Sequence, residues 1–399
     1  MASLHITDLF ERDNCGGYRI PALLHIPNSN TILAFAERRL GCYDENADVL
    51  YLRSGTYDKF SKDFQWEDAK PIQSAQLKQH RSMNPSPIYE KNTDTVFLFF
   101  IAVERSKTEQ EQIRSRKNAA RLCYVSSKDK GQTWSETNDL TGCTIGHTIN
   151  TWATFALGPG HGIQLGNGRL VIPASAHEIQ SNNEVRVWAF TFFSDDHGES
   201  WQFGNFVSGE ECGECQMVLV DQGNASSEQA LMYCNARSNK RGEKQYRVEA
   251  FSKDGGKTFT EGQLIKQLVE PPGGCHGSII SFPASDIPYF KNFLDIKQYM
   301  GDATSDFDII LFSHTTNSTS RKDLGIYLRP YSGSPQAWTS PWVIVDGECA
   351  YSELAFVKLP EESNPIVTCL FECGPINDKI SFCVLQIDDI IQNTVKKML

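Results

Sequence analysis

The sequence predicts an all-β fold of the β-propeller type, and three copies of one turn motif are the main reason. The pattern S-x-D-x-G-x-[ST]-[WF] begins at Ser127, Ser194 and Ser252. Aspartate and glycine at these positions suit a tight hairpin turn, because Asp caps its own backbone and Gly adopts a positive φ. The aspartates of the three copies lie 67 and then 58 residues apart, which suits a four-stranded blade. At that spacing, 399 residues correspond to about six or seven blades.

Composition and patterning favour a single domain over residues 1–399. The chain is 40% hydrophobic and 11% aromatic, and no Pro/Ser/Gly-rich linker or long charge run divides it. Its richest apolar run, residues 96–103, has the length of a buried strand and is far too short to span a bilayer. Residues 387–399 are predicted to form a short amphipathic helix.

The ends and the charge of the chain restrict its location and partners. The amino terminus lacks the basic start and apolar stretch of a secretory signal, so we expect a cytoplasmic protein whose 12 cysteines are reduced. A net charge of −11 argues against nucleic-acid binding. The spacing of Cys212 and Cys215 fits neither a zinc ribbon nor a thioredoxin-like motif. We therefore expect no metal and no cofactor.

Three arginines stand at the ends of strand-like segments. Arg19 lies in an apolar segment near the start, Arg237 follows a strand-like run, and Arg321 precedes another. Each alone is more often a solvated strand end. If the fold brings them together at one mouth of a propeller, their planar donors would grip a carboxylate.

Motifs distributed over nearly the whole chain add a family resemblance. They include YRIPALL from Tyr18, LAFAERR from Leu33, HRSMNPSP from His80, WATFALGPGHGIQL from Trp152, GECQ from Gly213, NARS from Asn235, LVEPPGGCHGS from Leu268, DLGIYL from Asp323 and CAYSEL from Cys349. With these motifs the chain resembles the vertebrate sialidases (neuraminidases), especially the cytosolic and plasma-membrane forms that cleave gangliosides. The resemblance implies a six-bladed β-propeller with Asp-box repeats, an active site at its central mouth and exo-α-sialidase activity.

The resemblance also assigns roles to particular residues. Tyr351 falls at the position of the nucleophile, Glu214 at that of the glutamate that activates it, and Asp44 at that of the acid/base. A neutral tyrosine avoids the repulsion that a carboxylate nucleophile would meet at a sugar carrying its own carboxylate, and sialidases are the known tyrosine exception among glycosidases.

The remaining assignments concern substrate binding. The resemblance implies that the three arginines bind the substrate carboxylate and that Glu37 holds Arg19 in place. Four further residues would line the pocket: Arg39, Met83, Asn84 and Glu109.

The sequence departs from the family pattern at three residues. Ser175 and His177 stand where the family commonly has a tyrosine pair, so we expect an altered preference among sialic acids or linkages. His276 stands where glutamine is more usual, and it either adds pH dependence near the substrate or is a surface change without effect.

The polar segment 104–116 is expected to be a mobile loop that closes over substrate, or else an ordinary solvated hairpin.

Three functions remain open from the sequence. The leading one is hydrolysis of terminal sialic acid from glycolipids, glycoproteins or oligosaccharides, with transfer to acceptor sugars as a variant. The alternatives are a non-catalytic sialic-acid-binding propeller (lectin) and a protein-interaction propeller, against which the arginine set argues. The aromatic residues Tyr289, Phe290 and Phe293, beside two lysines, indicate peripheral membrane contact.

Overall fold

Strands account for most of the secondary structure of this protein. The computed structural model describes residues 4–41, 43–220, 231–239, 245–287, 307–332, 337–375 and 379–395. Within these ranges the chain forms antiparallel sheets linked by turns, with two α-helices. The predicted all-β class is therefore confirmed.

The strands fall into five sheets in the described part of the chain. After β1 (Ile6–Glu11), the first sheet contains β2 (Gly17–His25), β3 (Thr31–Arg39), β4 (Ala47–Asp58), β5 (Asp63–Trp66) and β6 (Lys70–Pro71). The second contains β7 (His80–Glu90), β8 (Thr95–Glu104), β9 (Ala120–Ser127) and β10 (Asn138–Asp139). The third contains β11 (Trp152–Leu157), β12 (Ile163–Gln164), β13 (Leu170–Ile179), β14 (Val185–Ser194) and β15 (Gln202–Phe203).

The last two sheets complete the chain. The fourth contains β16 (Cys212–Val220), β17 (Leu231–Ser238), β18 (Gln245–Ser252) and β19 (Gln263–Glu270). The fifth contains seven strands: β1 and then β20 (Ser278–Pro283), β21 (Asp308–Thr315), β22 (Lys322–Tyr331), β23 (Trp342–Val357), β24 (Ile366–Cys373) and β25 (Lys379–Gln386). Because β2 contacts both β7 and β23, and β20 contacts both β16 and β23, the sheets close into a propeller-like ring.

The number of separate sheets differs from the six blades that the resemblance implied. Four sheets have four or five strands each, the size of single blades, and the fifth has seven. The reason is strand β23, which pairs with β22 over its first half and with β24 over its second half without a break. A 16-residue strand thus joins two groups of strands into one hydrogen-bonded sheet.

The three turn motifs have the same hydrogen bonds, as a structural repeat requires. In the first copy, Ser127 Oγ donates to Asp129 Oδ1 at 2.7 Å, and the same carboxylate accepts the backbone N–H of Thr133 at 2.9 Å. The corresponding bonds of Asp196 are 2.8 and 2.9 Å long, and those of Asp254 are also 2.8 and 2.9 Å. The motif therefore caps its own turn, as the sequence predicted.

Helical structure is short and lies outside the sheets. In the described ranges the α-helices are α1 (Glu109–Ser115) and α2 (Ile387–Thr394), and four shorter helical segments of the 3-10 or π type occur at Asp44–Asn46, Thr141–Ile145, Gly146–Thr151 and Ala284–Asp286. Helix α2 agrees with the predicted terminal helix and buries Ile387, Ile390 and Ile391 against the fifth sheet. No helix in the described ranges combines the length and apolar surface needed to cross a bilayer.

Helix α1 replaces the loop or solvated hairpin that was expected over residues 104–116. Thr108 Oγ1 accepts the N–H of Glu111 at 3.1 Å, and Glu111 Oε2 accepts the N–H of Thr108 at 2.9 Å. This reciprocal capping box satisfies two backbone donors at the start of the helix. The T-x-x-E spacing was visible in the sequence and gives the segment a defined conformation.

Two predictions on particular segments have different outcomes. The apolar run 96–103 lies in β8 as a fully buried strand, which confirms that prediction. The aromatic set with Tyr289, Phe290 and Phe293 lies outside the described residues, so membrane contact stays a prediction.

Candidate active site

The predicted site residues meet in one cavity of about 490 Å³. The lining includes Arg19 from the first sheet, Met83 from the second, Thr154 from the third, Glu214 from the fourth and Tyr351 from the fifth. Since every sheet contributes, the cavity lies at the mouth of the ring. Of the predicted residues, those that line it are Arg19, Arg39, Asp44, Met83, Asn84, Glu109, Glu214, Arg237, Arg321 and Tyr351.

A tyrosine, a glutamate and an arginine are in direct contact at the cavity floor. Tyr351 donates its hydroxyl proton to Glu214 Oε1 at 2.5 Å. Arg237 Nη1 donates to Glu214 Oε2 at 2.6 Å and to the Tyr351 hydroxyl oxygen at 3.1 Å. The phenol thus faces a proton acceptor and a cation at once.

The protonation states of this group follow from burial and charge. Burial opposes ionisation of Glu214, but the Arg237 charge and the hydrogen bond from Tyr351 outweigh it and lower the pKa of Glu214 to about 2. Burial and the Glu214 charge raise the pKa of Tyr351 well above its usual range. At neutral pH the pair therefore consists of a carboxylate and a neutral phenol.

The other two arginines lie over the tyrosine ring. The guanidinium carbons of Arg19 and Arg321 are each 5.6 Å from the ring centroid of Tyr351. With Arg237 they form the cluster that the sequence predicted. Planar donors of this kind bind carboxylates through two parallel hydrogen bonds.

A glycine loop orients two of these arginines. Arg237 Nε donates to the carbonyl of Gly273 at 3.1 Å, and Arg321 donates to the carbonyl of Gly274 through Nε at 3.1 Å and Nη2 at 2.9 Å. Gly274 has φ +68°, and a Cβ there would lie 2.8 Å from Arg237 Cγ. Position 274 must therefore be glycine for Arg237 to pack against the loop.

A buried ion pair, which the sequence analysis missed, supports that loop from below. Arg247 and Glu270 are fully buried and 3.0 Å apart. Arg247 Nη1 donates to the carbonyl of Cys275 at 2.8 Å, and Glu270 accepts the N–H of Cys275 at 2.8 Å. Both charged residues stand within strands and are fully buried, and burial of an ionised group requires a partner.

Glu372 is a second residue that the sequence analysis missed. Its fully buried carboxylate accepts from Arg19 Nε at 2.6 Å and from the N–H of Ile20 at 2.8 Å through Oε1, and from the N–H of Tyr351 at 3.2 Å through Oε2. A glutamate within the apolar strand sequence of β24 was the available signal.

This contact corrects the role that the resemblance gave to Glu37. Although Glu37 lies opposite Arg19 in the pairing of β2 and β3, its Oε1 accepts from Arg39 Nε at 2.6 Å. Its Oε2 accepts the N–H of Asn84 at 3.1 Å. Glu37 therefore lies behind the cavity and fixes Arg39 and the strand of Asn84, whereas Glu372 holds Arg19.

Asp44 occupies the opposite wall on a single helical turn. Its carboxylate is 2.6 Å from Arg39 Nη1, and 64% of its side chain is exposed. By contrast, the side chain of Glu214, which contacts the tyrosine, is largely enclosed. The cavity thus holds one enclosed and one solvent-accessible carboxylate beside the same floor.

Irregular backbone coincides with the site residues. The strand register shifts between Arg19 and Ala22, between Cys212 and Cys215, and between Cys349 and Ser352. Ile20 has φ 58° and Asn84 has φ 56°, a conformation that a β-branched residue such as Ile avoids. Bulges of this kind redirect side chains and are common beside active sites.

Glu109 lies at the start of α1 and faces the cavity. Solvent in the cavity reaches it, yet desolvation by the surrounding protein and the charges of Asp44 and Glu214 raise its pKa to about 6. Ser175 and His177 line the same wall, and burial lowers the pKa of His177 to about 4. The two departures from the family pattern are therefore in the cavity itself.

His276 is buried behind the tyrosine. Its ring stacks on that of Tyr351 with centroids 5.1 Å apart and an angle of 27° between planes. Burial lowers the pKa of His276 to about 4, although the charge of Glu214 acts in the other direction. The alternative of a surface change is therefore wrong, and any titration of His276 falls below the neutral range.

The ring and its cavity define a class of enzyme. Two carboxylates, one enclosed and one solvent-accessible, at the floor of a cavity that also holds a cluster of arginines are the kind of groups that glycoside hydrolases use. In the described ranges no group of three His, Cys, Asp or Glu side chains could hold a metal ion.

Comparison with known proteins identifies the family within that class. The model of the BNR repeat-like domain family matches residues 30–359. Sialidase-2 of Rattus norvegicus is 41% identical over 368 residues, which cover 91% of this chain and 90% of the relative. Sialidase-3 of Homo sapiens is 41% identical over 390 residues, which cover 92% and 88%. The chain belongs to the sialidase family.

Solved structures agree with the fold. The Hadza microbial sialidase Hz136 superposes with a TM-score of 0.71 at 21% identity, over 94% of this chain and 66% of that one. Trypanosoma rangeli sialidase in complex with sialic acid gives a TM-score of 0.64 at 17% identity, over 97% of this chain and 60% of that one. At these identities the likeness concerns the fold alone.

Proposed function

We propose that this protein is a retaining exo-α-sialidase that removes terminal sialic acid from glycolipids, glycoproteins or oligosaccharides. The observation that carries the proposal is the contact of Tyr351 with Glu214 and Arg237 on the cavity floor. A neutral phenol can approach a sugar that carries a carboxylate without like-charge repulsion.

In the first step the Tyr351 oxygen attacks the anomeric carbon, and the bond to the leaving oxygen breaks. The phenol proton passes to Glu214, whose lowered pKa keeps it ionised and ready to accept. Asp44, protonated from the solvent that reaches its exposed side chain, gives that proton to the leaving oxygen. In the second step water attacks the same carbon, Asp44 takes a proton from that water, and Glu214 returns its proton to the departing Tyr351 oxygen.

The three arginines bind the substrate carboxylate throughout this reaction. Their fixed donors compensate the charge of the substrate carboxylate. The nearby carboxylates stabilise the positive charge that develops on the sugar ring. Two inversions at one carbon give net retention. Acceptor sugars that replace the water would yield transfer products from the same intermediate.

The proposal also covers the number of blades and the location of the protein. We count the seven-stranded sheet as two blades that share β23, which gives six blades around the cavity. We also place the protein in the cytoplasm, with peripheral contact at membranes where glycolipid substrates lie.

The proposal predicts that Tyr351→Phe loses hydrolysis of 4-methylumbelliferyl α-sialoside by at least about 10³-fold, because the nucleophilic oxygen is absent. The measurement is release of the fluorophore from pH 4 to 8. Tyr124→Phe, a substitution of the same kind in β9 outside the cavity, serves as the control and should retain activity. A silent wild type that still binds sialic acid would instead support a lectin.

A further inference from the structure

Beneath the cavity floor, a second pair of side chains joins the two strands that carry Glu214 and Tyr351. Gln216 follows Glu214 by two residues in β16. Glu353 likewise follows Tyr351 by two residues in β23, and Gln216 Nε2 donates to Glu353 Oε2 at 2.7 Å. This contact and that of Tyr351 with Glu214 both span 137 residues of sequence. The strands β16 and β23 therefore keep one register across the centre of the ring.

Gln216 is fully buried and uses its whole side-chain amide. Besides Glu353, its Nε2 donates to the carbonyl of Pro159 at 2.8 Å. Its Oε1 accepts from Ser278 Oγ and from the N–H of Ile279, both at 3.0 Å. An amide has two N–H donors and two acceptor positions, so every hydrogen-bonding position of this group is occupied. The side chain has one defined orientation as a result.

Glu353 is fully buried as well, and its second oxygen contacts His161 Nδ1. The chain before His161 leaves room for the pair. Gly160 has φ +121°, and a Cβ there would lie 1.9 Å from Gln216 Nε2 and 2.0 Å from Glu353 Oε2. Position 160 must therefore be glycine for Gln216 and Glu353 to meet.

Ser278 connects the same level of the ring to a third strand. Its Oγ, which donates to Gln216, also accepts the N–H of Leu354 in β23 at 2.9 Å. Ser278 is the first residue of β20, so β16, β20 and β23 are joined here. Buried polar networks whose members are satisfied rigidify the structure around them.

We propose that Gln216 and Glu353 are positioning residues that fix the distance between the Tyr351 hydroxyl and Glu214. The inference rests on the proposed sialidase function and adds to it two residues that lie outside the cavity lining. The strands β16 and β23 belong to different sheets, and the register of each shifts at its reacting residue. Backbone pairing therefore cannot set this distance, whereas a side-chain contact two residues further along the same strands can.

The substitution Glu353→Met tests the proposal, because methionine is unbranched and of similar length but offers Gln216 no carboxylate. We expect kcat for 4-methylumbelliferyl α-sialoside to fall by about 10²-fold, the effect of displacing reacting groups by about 1 Å. Calorimetry should give a dissociation constant for free sialic acid within about twofold of the wild type, because other contacts orient the arginines. Glu353→Gln keeps a carbonyl that accepts from Gln216 and should restore kcat to within about fivefold of the wild type.

Ser278→Ala is a smaller change that tests the same network if Glu353→Met does not fold. It removes one hydrogen bond to Gln216 and should lower kcat by about fivefold with unchanged binding of sialic acid. The matched control is Ser281→Ala. Ser281 lies in the same strand, and its Oγ donates to the carbonyl of Leu219 in β16 at 2.5 Å, further from the reacting pair. This variant should keep the wild-type kcat.

A wild-type kcat in both Glu353→Met and Ser278→Ala would overturn the proposal, and so would an equal loss in Glu353→Met and Glu353→Gln. If the wild type hydrolyses no sialoside, the proposed function is wrong, and crystal structures of the variants test the positioning without turnover. The Tyr351 hydroxyl and Glu214 should then be more than about 3.5 Å apart in Glu353→Met and hydrogen-bonded in Glu353→Gln. An unchanged contact in Glu353→Met would overturn the inference.

Discussion

Glu372 connects two parts of the proposed active site through one carboxylate. It holds the side chain of Arg19 and the backbone N–H groups of Ile20 and Tyr351, so the arginine proposed to bind the substrate carboxylate and the proposed nucleophile are fixed to the same two oxygens. It also stabilises Ile20 at φ 58°, a conformation that costs about 1–3 kcal/mol elsewhere.

The substitution Glu372→Gln should therefore lower both stability and substrate affinity. An amide cannot offer acceptors on both sides, and Arg19 would lose its buried partner, so we expect the free energy of unfolding to fall by about 3 kcal/mol. KM for sialosides should rise because Arg19 is no longer oriented. Urea unfolding and steady-state kinetics measure the two effects.

The matched control is Glu361→Gln. Glu361 pairs with Lys59 at 3.0 Å, and both side chains are more than half exposed. An exposed pair of this kind contributes little. If the two variants unfold at the same urea concentration, the role assigned to Glu372 is wrong.

At the scale of elements, helix α1 places a titrating group in the cavity. Its capping box fixes the first turn, and Glu109 in that turn lies near Asp44 and Glu214. Because folding raises the pKa of Glu109 to about 6, the folded protein disfavours the ionised form. The chain therefore loses some stability as pH rises through 6, and the cavity gains a negative charge over the same interval.

The added charge should repel the anionic substrate. We expect KM of the wild type to rise by about fivefold between pH 5 and pH 7.5, as a charge interaction of about 1 kcal/mol would produce. Glu109→Gln should remove this rise, and Glu104→Gln, an exposed neighbour outside the cavity, should retain it. A rise of KM that persists unchanged in Glu109→Gln would assign it to another group.

At the scale of the whole molecule, the ring closes by joining the two ends of the chain. Strand β1 pairs with β25, and Lys379 and Ser381 hold Asp8 at 2.7 and 2.6 Å. Leu9 and Phe10 from β1 share one buried cluster with residues of the first sheet and of β24–β25. This cluster fills the seam between the last and the first strands of the ring.

Truncation of Phe10 to alanine should open a cavity in that seam. The side chain is 1% exposed, and we expect the free energy of unfolding to fall by about 3–5 kcal/mol. Urea unfolding followed by tryptophan fluorescence and by loss of activity should give coincident curves if the closed ring unfolds as one unit. Phe60→Ala, at an 88% exposed position, is the control and should leave the midpoint unchanged. Activity lost well before fluorescence would contradict a cooperative ring.

The sequence alone determined the features that depend on local geometry. The Asp-x-Gly turns form because the hydrogen bonds of each motif close within eight residues, and the apolar run of β8 is buried because of its own composition. Helix α2 was likewise predicted from the residues of its own segment. The arginine cluster and the Tyr351–Glu214 pair were predicted because they stand in motifs of a recognisable family.

Only the tertiary structure decided which buried charges meet. Arg19 and Glu372 are 353 residues apart, and Glu37 lies opposite Arg19 on the neighbouring strand yet binds Arg39 instead. The unbroken strand β23, which merges two groups of strands into one sheet, likewise depends on the packing of distant segments. Local patterns fix turns and strands, but ion pairs and cavities form only where the closed ring brings distant side chains together.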